Sequence, residues 1–172
     1  HPPSRRQRQM CIRDRVWPHP EGRVEIGYTP IEPTAAGADL FDGPMKMFQW
    51  HRDGFDLPAG AQLLATNEHF PQQAFRHENA YGVQFHPEVT PDIMRRWSIG
   101  AEHMLTMPGA QPREQQLAEY PEADPIIDAW VDRFLDTILG CGVEGRAQKP
   151  HVGSPPNSVE LSLIHISEPT RR

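Results

Sequence analysis

A histidine and a glutamate two residues apart are the side chains of this sequence best placed for acid–base chemistry. They lie in the segment YGVQFHPEV (residues 81–89), where Pro87 separates His86 from Glu88. Proline keeps its neighbours extended, so the two side chains can face the same way. A carboxylate that accepts a hydrogen bond from one imidazole nitrogen fixes the tautomer, and the other nitrogen can take a proton from a nucleophile. The pair predicts the base and the orienting acid of a catalytic triad.

The strand that positions this pair is predicted from the residues just before it. In Ala80–Phe85, the apolar Val83 and Phe85 fall on one face, as buried strand residues do. His86 would then leave the strand at its carboxyl end, where α/β sheets bind their ligands.

Strand-like and helix-like segments alternate through the middle of the chain, which predicts an α/β domain. Arg23–Tyr28 alternates polar and apolar residues, as a half-buried strand does, and Pro30 and Pro33 are expected to break it. Further short strands are expected at Lys46–Trp50, Gln62–Thr66 and Gln72–Arg76. The connections are predicted as a helical turn at ADLFDGP (38–44), a polar loop at HRDGFDLPAGA (51–61) and a hairpin turn at His77–Asn79.

Two helices are expected after the His–Glu pair. Thr90 can cap the first, with Pro91 in its first turn. Asp124 and Pro125 are predicted to begin the second, and Gly140 to end it. An uninterrupted apolar stripe should pack this second helix on the sheet; it consists of Ile126, Ile127, Trp130, Val131, Phe134, Leu135, Ile138 and Leu139.

Two motifs in order give this chain a family resemblance. GVQFHPEV is similar to the catalytic segment of class I glutamine amidotransferases, whose His and Glu complete a triad begun by an upstream cysteine. Phe48–Pro58, FQWHRDGFDLP, resembles the family's W-x-H-x-D or W-H-x-D loop, which borders the glutamine pocket. GRVEIGY and AQLLATNEHFPQQAFRHENAYG are also in family order and resemble the GMP-synthase-like members. The resemblance covers about residues 16–140.

The resemblance implies an α/β fold made of the carboxyl-terminal strands and helices of a truncated flavodoxin-like domain, a three-layer sandwich when whole. It implies a glutaminase that hydrolyses glutamine to glutamate and ammonia without a cofactor or metal. His86 and Glu88 would be catalytic, and His51 and Asp53 would help to bind glutamine. A synthetase or another ammonia acceptor would be the partner.

The triad's cysteine is missing from the expected place. In the family it lies in a G-x-C-x-G turn upstream of the GRVEIGY-like segment, together with the oxyanion donors. Cys141 follows a predicted helix and comes after His86, so we reject it as the nucleophile, and Cys11 lies in an irregular terminal stretch. We therefore expect this chain to be inactive alone, and about 80–100 further upstream residues to belong to the domain.

Other functions are compatible with parts of this pattern. His51-x-Asp53 and His86-x-Glu88 are His–carboxylate pairs of the kind that bind zinc or iron in metal-dependent hydrolases. A non-catalytic partner-binding domain with a vestigial triad is a second alternative. A hydrolase of another γ-glutamyl compound is a third.

Charge and hydropathy exclude two classes of partner. The net charge is −6, and residues 16–160 alone carry 10 basic and 21 acidic residues, a net charge of −11. Such a surface repels phosphate backbones, so we expect no nucleic-acid partner. No apolar run approaches the roughly 20 residues of a membrane span, and no apolar signal-peptide core begins the chain. We expect a cytoplasmic protein without a membrane partner.

The two ends differ in character from the rest of the chain. The strings MCIRDR and SLIHISEPTR resemble translated sequencing-adapter sequence. We expect residues 1–15 to be a non-native, disordered tail, residues 16–143 to be the amidotransferase segment, and residues 144–172 to be a disordered tail, with 161–172 artefactual.

Overall fold

The computed structural model describes residues 16–139 of the chain. The predictions for both tails, for a helix end at Gly140 and for Cys11 and Cys141 lie outside the described residues.

The described strands form two antiparallel sheets. The larger sheet has the order β3-β2-β5-β6-β7, and its strands are β2 (Glu25–Pro33), β3 (Met45–His51), β5 (Gln62–Thr66), β6 (Ala74–His77) and β7 (Ala80–Val83). The smaller sheet pairs β1 (Val16–Pro18) with β4 (Asp53–Phe55). Every predicted strand is present, so local alternation was a sound guide to where strands form.

The predicted hairpin before the His86–Glu88 pair is confirmed. β6 and β7 pair from His77–Ala80 to Ala74–Val83, which leaves only Glu78 and Asn79 for the turn. Glu78 has a φ of 54°, the left-handed conformation that a tight two-residue turn requires.

Three predicted connections differ from the structure. β2 does not break at Pro30 but continues to Pro33. At Pro30 it has β3 as a neighbour on one side and no paired strand on the other, so a residue without an N–H is tolerated there. The predicted polar loop at residues 51–61 contains β4, which forms because β1, from a remote part of the chain, pairs with it. The helical turn predicted at residues 38–44 lies slightly earlier, as a 3₁₀ turn at Ala35–Gly37.

The larger sheet curls until the chain beyond β7 returns to β3. The amide of Gln84 donates to the carbonyl of Gln73 at 2.9 Å, and the amide of His86 donates to the carbonyl of Phe48 at 2.8 Å. The segment that carries the His–Glu pair therefore bridges the chain before β6 to the opposite edge strand, β3.

The first helix, α1 (Pro91–Gly100), begins as predicted. The Thr90 hydroxyl accepts a hydrogen bond from the Ile93 amide at 3.4 Å, and Pro91 lies in the first turn. Helix α1 buries Met94 against the sheet, and a short 3₁₀ turn at Glu102–Thr106 follows it.

The second helix, α2 (Arg113–Leu139), begins eleven residues before the predicted start at Asp124. Pro121 and Pro125 lie inside it. Leu117 and Tyr120, in the early turns, pack against the main core, and this packing offsets the backbone hydrogen bonds that the prolines remove.

The predicted apolar stripe of α2 is buried only in part. Ile127 and Trp130 are 3% and 4% exposed, whereas Ile126 is 58% exposed. Leu135 and Leu139 are exposed as well. Trp130 stacks on Phe41 and meets Phe85 edge-on, which ties the helix to the chain just before His86.

The described residues thus form a mixed α/β fold in which a curled antiparallel sheet packs against two helices. Neither helix in residues 16–139 is long and apolar enough to cross a membrane.

Replacing Pro125 with alanine should raise the free energy of unfolding by about 1–2 kcal/mol. A proline inside a helix destabilises it by roughly 3 kcal/mol. Up to about 1 kcal/mol of the gain is lost again, because the unfolded chain with alanine has more conformational entropy. Pro125 is exposed, so little packing is lost. Urea unfolding followed by circular dichroism measures the change. A lower stability would mean that a helix begins at Pro125, where proline is favoured.

Candidate active site

His86 and Glu88 are in direct contact. Nδ1 of His86 lies 2.9 Å from Oε1 of Glu88. The His86 side chain is 12% exposed and the Glu88 side chain 51%, so the carboxylate is hydrated while the ring is largely enclosed. The one-residue spacing across Pro87 does bring the two groups to the same side of the chain.

Aromatic side chains hold the His86 ring from β3 and α1. The ring meets Trp97 edge-on, with centroids 4.8 Å apart. Trp97 in turn packs against Trp50 at 5.5 Å and Phe48 at 6.4 Å. The Phe48 carbonyl also accepts a hydrogen bond from the His86 amide. β3 therefore supports the backbone of this histidine directly and its ring through Trp97.

His51 lies on the other face of β3. It follows Trp50 directly, and successive strand residues point to opposite faces. Nε2 of His51 is 3.1 Å from Oε2 of Glu25, although neither ring nitrogen has the alignment of a hydrogen bond. The ring also meets Phe70 edge-on at 4.7 Å. The structure therefore packs His51 on Glu25 and Phe70 rather than bringing it to His86.

Glu25 is the centre of a buried polar cluster that sequence reasoning missed. It is 3% exposed, and its carboxylate accepts from Asn67 Nδ2 and, at 2.9 Å, from Gln73 Nε2. Gln73 Nε2 also donates to the Phe70 carbonyl at 3.0 Å. Gln73 Oε1 accepts from Gln49 Nε2 at 2.6 Å. Both glutamines are fully buried.

The alternation in Arg23–Tyr28 predicted a half-buried strand with its polar residues outside. That interpretation is wrong for Glu25, because β2 is covered on both faces. An available signal was the number of amide side chains in TNEHFPQQ (66–73), which can supply donors to a buried carboxylate.

Asp53 lies in β4 and is linked by its backbone to the segment that carries the His86–Glu88 pair. Its carbonyl accepts a hydrogen bond from Gln84 Nε2 at 2.7 Å. Its carboxylate is 31% exposed and lies 3.9 Å from Nε of Arg52. Asp53 also lines a cavity of about 460 Å³. The other lining residues are Pro18, His19, Gly22, Arg23, Arg52 and Met107.

Within residues 16–139, no three His, Cys, Asp or Glu side chains come close enough together to hold a metal ion. The two predicted His–carboxylate pairs, His51-x-Asp53 and His86-x-Glu88, make separate contacts instead: His51 meets Glu25, and His86 meets Glu88.

A protein-family comparison matches residues 20–97 to "Glutamine amidotransferase class-I". This part of the chain is similar to the class I glutamine amidotransferases. The match includes β2, β3, the Glu25 cluster and the His86–Glu88 pair.

Individual relatives agree with this similarity. The chain is 49% identical over 57 residues to a subunit of the glutamine-hydrolyzing GMP synthase of Thermococcus kodakarensis, and the match covers 30% of each chain. It is 35% identical over 101 residues to the glutamine-hydrolyzing GMP synthase of Marinobacter nauticus, covering 51% of this chain and 19% of the relative. The matched part of this chain therefore spans less than a third of the length of either relative.

Solved structures support the amidotransferase fold. A glutamine amidotransferase of Thermotoga maritima matches with a TM-score of 0.61 and 26% identity, over 72% of this chain and 54% of that one. The glutamine amido transferase of Methylobacillus flagellatus has a TM-score of 0.63 at 19% identity, over 82% of this chain and 59% of that one, and this likeness concerns the fold alone.

Replacing Glu25 with alanine should lower the free energy of unfolding by at least roughly 3 kcal/mol, because it leaves buried donors of Asn67 and Gln73 without an acceptor. Glu32 on the same strand is exposed, so Glu32→Ala is the matched control and should change stability by less than about 0.5 kcal/mol. Denaturant unfolding compares the two. Equal effects would mean that the buried cluster does not contribute to stability.

Proposed function

We propose that this chain is the glutaminase part of a class I glutamine amidotransferase, with His86 as the general base and Glu88 as the residue that orients it. The 2.9 Å contact between His86 Nδ1 and Glu88 Oε1, within the family-matched segment, carries the proposal. With Nδ1 turned to the carboxylate, Nε2 is the nitrogen that exchanges a proton with the nucleophile.

The proposed reaction transfers the γ-glutamyl group of glutamine to a cysteine and then to water. His86 Nε2 takes the proton of the thiol, and the thiolate attacks the side-chain amide carbon. As the tetrahedral intermediate collapses, the imidazolium gives its proton to the leaving ammonia. His86 then activates a water molecule that hydrolyses the thioester to glutamate. Glu88 stabilises the imidazolium in both halves of the reaction.

We propose that an upstream segment supplies the cysteine and the oxyanion donors. Residues 16–139 contain no cysteine, and the position of Cys141 after the helix does not suit a nucleophile. This division agrees with the coverage of about half of the Thermotoga maritima amidotransferase.

The two loop residues have different proposed roles. Asp53 borders the 460 Å³ cavity, and its backbone carbonyl accepts a hydrogen bond from Gln84, two residues before His86; it is proposed to shape the glutamine pocket. His51 is proposed to help to bind glutamine indirectly, by fixing the point where β3 leads into β4. Its ring lies against Glu25 there.

The GMP synthase relatives suggest the destination of the ammonia. Two of the relatives, from Thermococcus kodakarensis and Pyrococcus abyssi, are named as one subunit of a glutamine-hydrolyzing GMP synthase. We propose that the ammonia released here passes to a synthetase partner.

The chain as given should release no glutamate from glutamine above the buffer rate, because it lacks an activated thiolate. A coupled glutamate assay at saturating glutamine measures this. Release that is abolished by replacing Cys141 with serine would show that our rejection of this cysteine is wrong.

Joined in one chain to the cysteine-bearing upstream segment of a close relative, His86→Ala should lower glutamine turnover by at least about 10²–10⁴-fold, the usual contribution of acid–base catalysis. Glu88→Gln should lose less, because the base remains while control of its tautomer weakens. Asp53→Asn should mainly raise KM. Ammonia release is the assay, with circular dichroism to check folding.

His103→Ala is the matched control for the histidine substitution. His103 is exposed, and the hydrogen bond from Thr106 goes to its backbone carbonyl, which alanine keeps. Its turnover should equal that of the unmodified protein. If His86→Ala behaved in the same way in a folded protein, the proposed function would be wrong.

A further inference from the structure

The segment that carries His86 is held by backbone hydrogen bonds to two other parts of the sheet. Gln84 donates to the carbonyl of Gln73, just before β6, and His86 donates to the carbonyl of Phe48 in β3. The location of the His86 backbone therefore depends on the distance between these two carbonyls.

The same two parts of the sheet are joined by a buried side-chain bridge. Gln49, the residue after Phe48, donates through Nε2 to Gln73 Oε1 at 2.6 Å. Neither side chain is accessible to solvent. The bridge thus connects Gln73, whose carbonyl binds the Gln84 amide, to Gln49, the neighbour of Phe48, whose carbonyl binds the His86 amide.

Glu25 fixes the bridge in one orientation. Gln73 must point Nε2 at the Glu25 carboxylate, at 2.9 Å, and at the Phe70 carbonyl, at 3.0 Å. Its Oε1 is then left to accept from Gln49. Hydrogen bonds are directional, and those to a carboxylate are strong. These hydrogen bonds therefore fix the distance and angle between Gln73 and Gln49, which apolar side chains of equal volume would not do.

We infer that Gln73 is a positioning residue for the His86–Glu88 pair: its backbone and side chain together set where the segment Gln84–Glu88 crosses β3. The inference rests on the proposed function for its catalytic consequence, but the geometry can be tested without any activity. Gln73 reaches the pair through the backbone of Gln84 and does not itself contact substrate or reacting atoms.

Gln73→Met tests this because methionine keeps the length of the side chain and removes its polar end. Gln116→Met is the matched control. Gln116 lies on α2 and is also fully buried, and its Nε2 donates to the Gln111 carbonyl at 2.7 Å. Both substitutions remove a buried amide, so both should lower global stability.

Amide hydrogen exchange of the 172-residue chain, followed by NMR, separates the two variants. In Gln73→Met, the amides of Gln84 and His86 should exchange at least about tenfold faster than the change in global stability explains. The reason is that local opening of this segment no longer has to break the Gln49–Gln73 hydrogen bond. In Gln116→Met, these two amides should follow global stability. Equal behaviour of the two variants would overturn the inference.

Gln49→Met cuts the same bridge from the β3 side and leaves the contacts of Gln73 with Glu25 and Phe70 intact. It should increase exchange of the His86 amide in the same way. Unchanged exchange of that amide in a folded Gln49→Met protein would also overturn the inference, whatever the folding of Gln73→Met.

Turnover in the chain joined to the cysteine-bearing segment gives the catalytic readout. Gln73→Met should lower kcat at least about tenfold with KM for glutamine nearly unchanged, because the base is displaced while the pocket remains. Gln116→Met should keep kcat. Fast exchange without a loss of kcat, together with an active His86→Ala, would refute the proposed function. A full loss in His86→Ala with normal exchange in Gln73→Met would refute only the inference.

Discussion

A carboxylate can be buried in a protein only where protein donors replace the water that it loses. Glu25, on β2, takes its donors from Asn67 and Gln73, both between β5 and β6, and has His51 of β3 against it. An apolar contact cannot substitute for any of these donors. Strands β2 and β3 and the β5–β6 connection must therefore meet in one arrangement, and the segment that carries His86 and Glu88 is attached to it.

Strand β3 serves the site with both of its faces. On one face, Gln49 and His51 join the polar cluster around Glu25. On the other, Trp50 packs on Trp97 of α1, which meets the His86 ring. The ring is thus held by apolar contacts, while its backbone is held by a strand whose opposite face is fixed by hydrogen bonds. Such rigid support suits the proposed role of His86 as a base, because small errors in the position of a catalytic group cost large factors in rate.

The family-matched region and the proposed chemistry coincide. The His–Glu contact, the loop with Asp53 and the Glu25 cluster all lie within residues 20–97. Helix α2 lies beyond that region, yet its Trp130 packs on Phe85, next to His86. The helix therefore belongs to the support of the site even though it contributes none of the proposed catalytic groups.

The sequence by itself determined the features that depend on neighbours in the chain. The cap at Thr90, the two-residue hairpin before β7 and the approach of His86 to Glu88 were all predicted correctly, because each involves residues at most a few positions apart. Only the tertiary structure decided the burial of Glu25 and the passage of α2 through Pro125. The donors of Glu25 come from residues more than 40 positions away, and the packing that carries the helix past its prolines comes from the sheet. Alternation and propensity contain no information about such distant partners, so the groups that position the candidate site could not be found in the sequence alone.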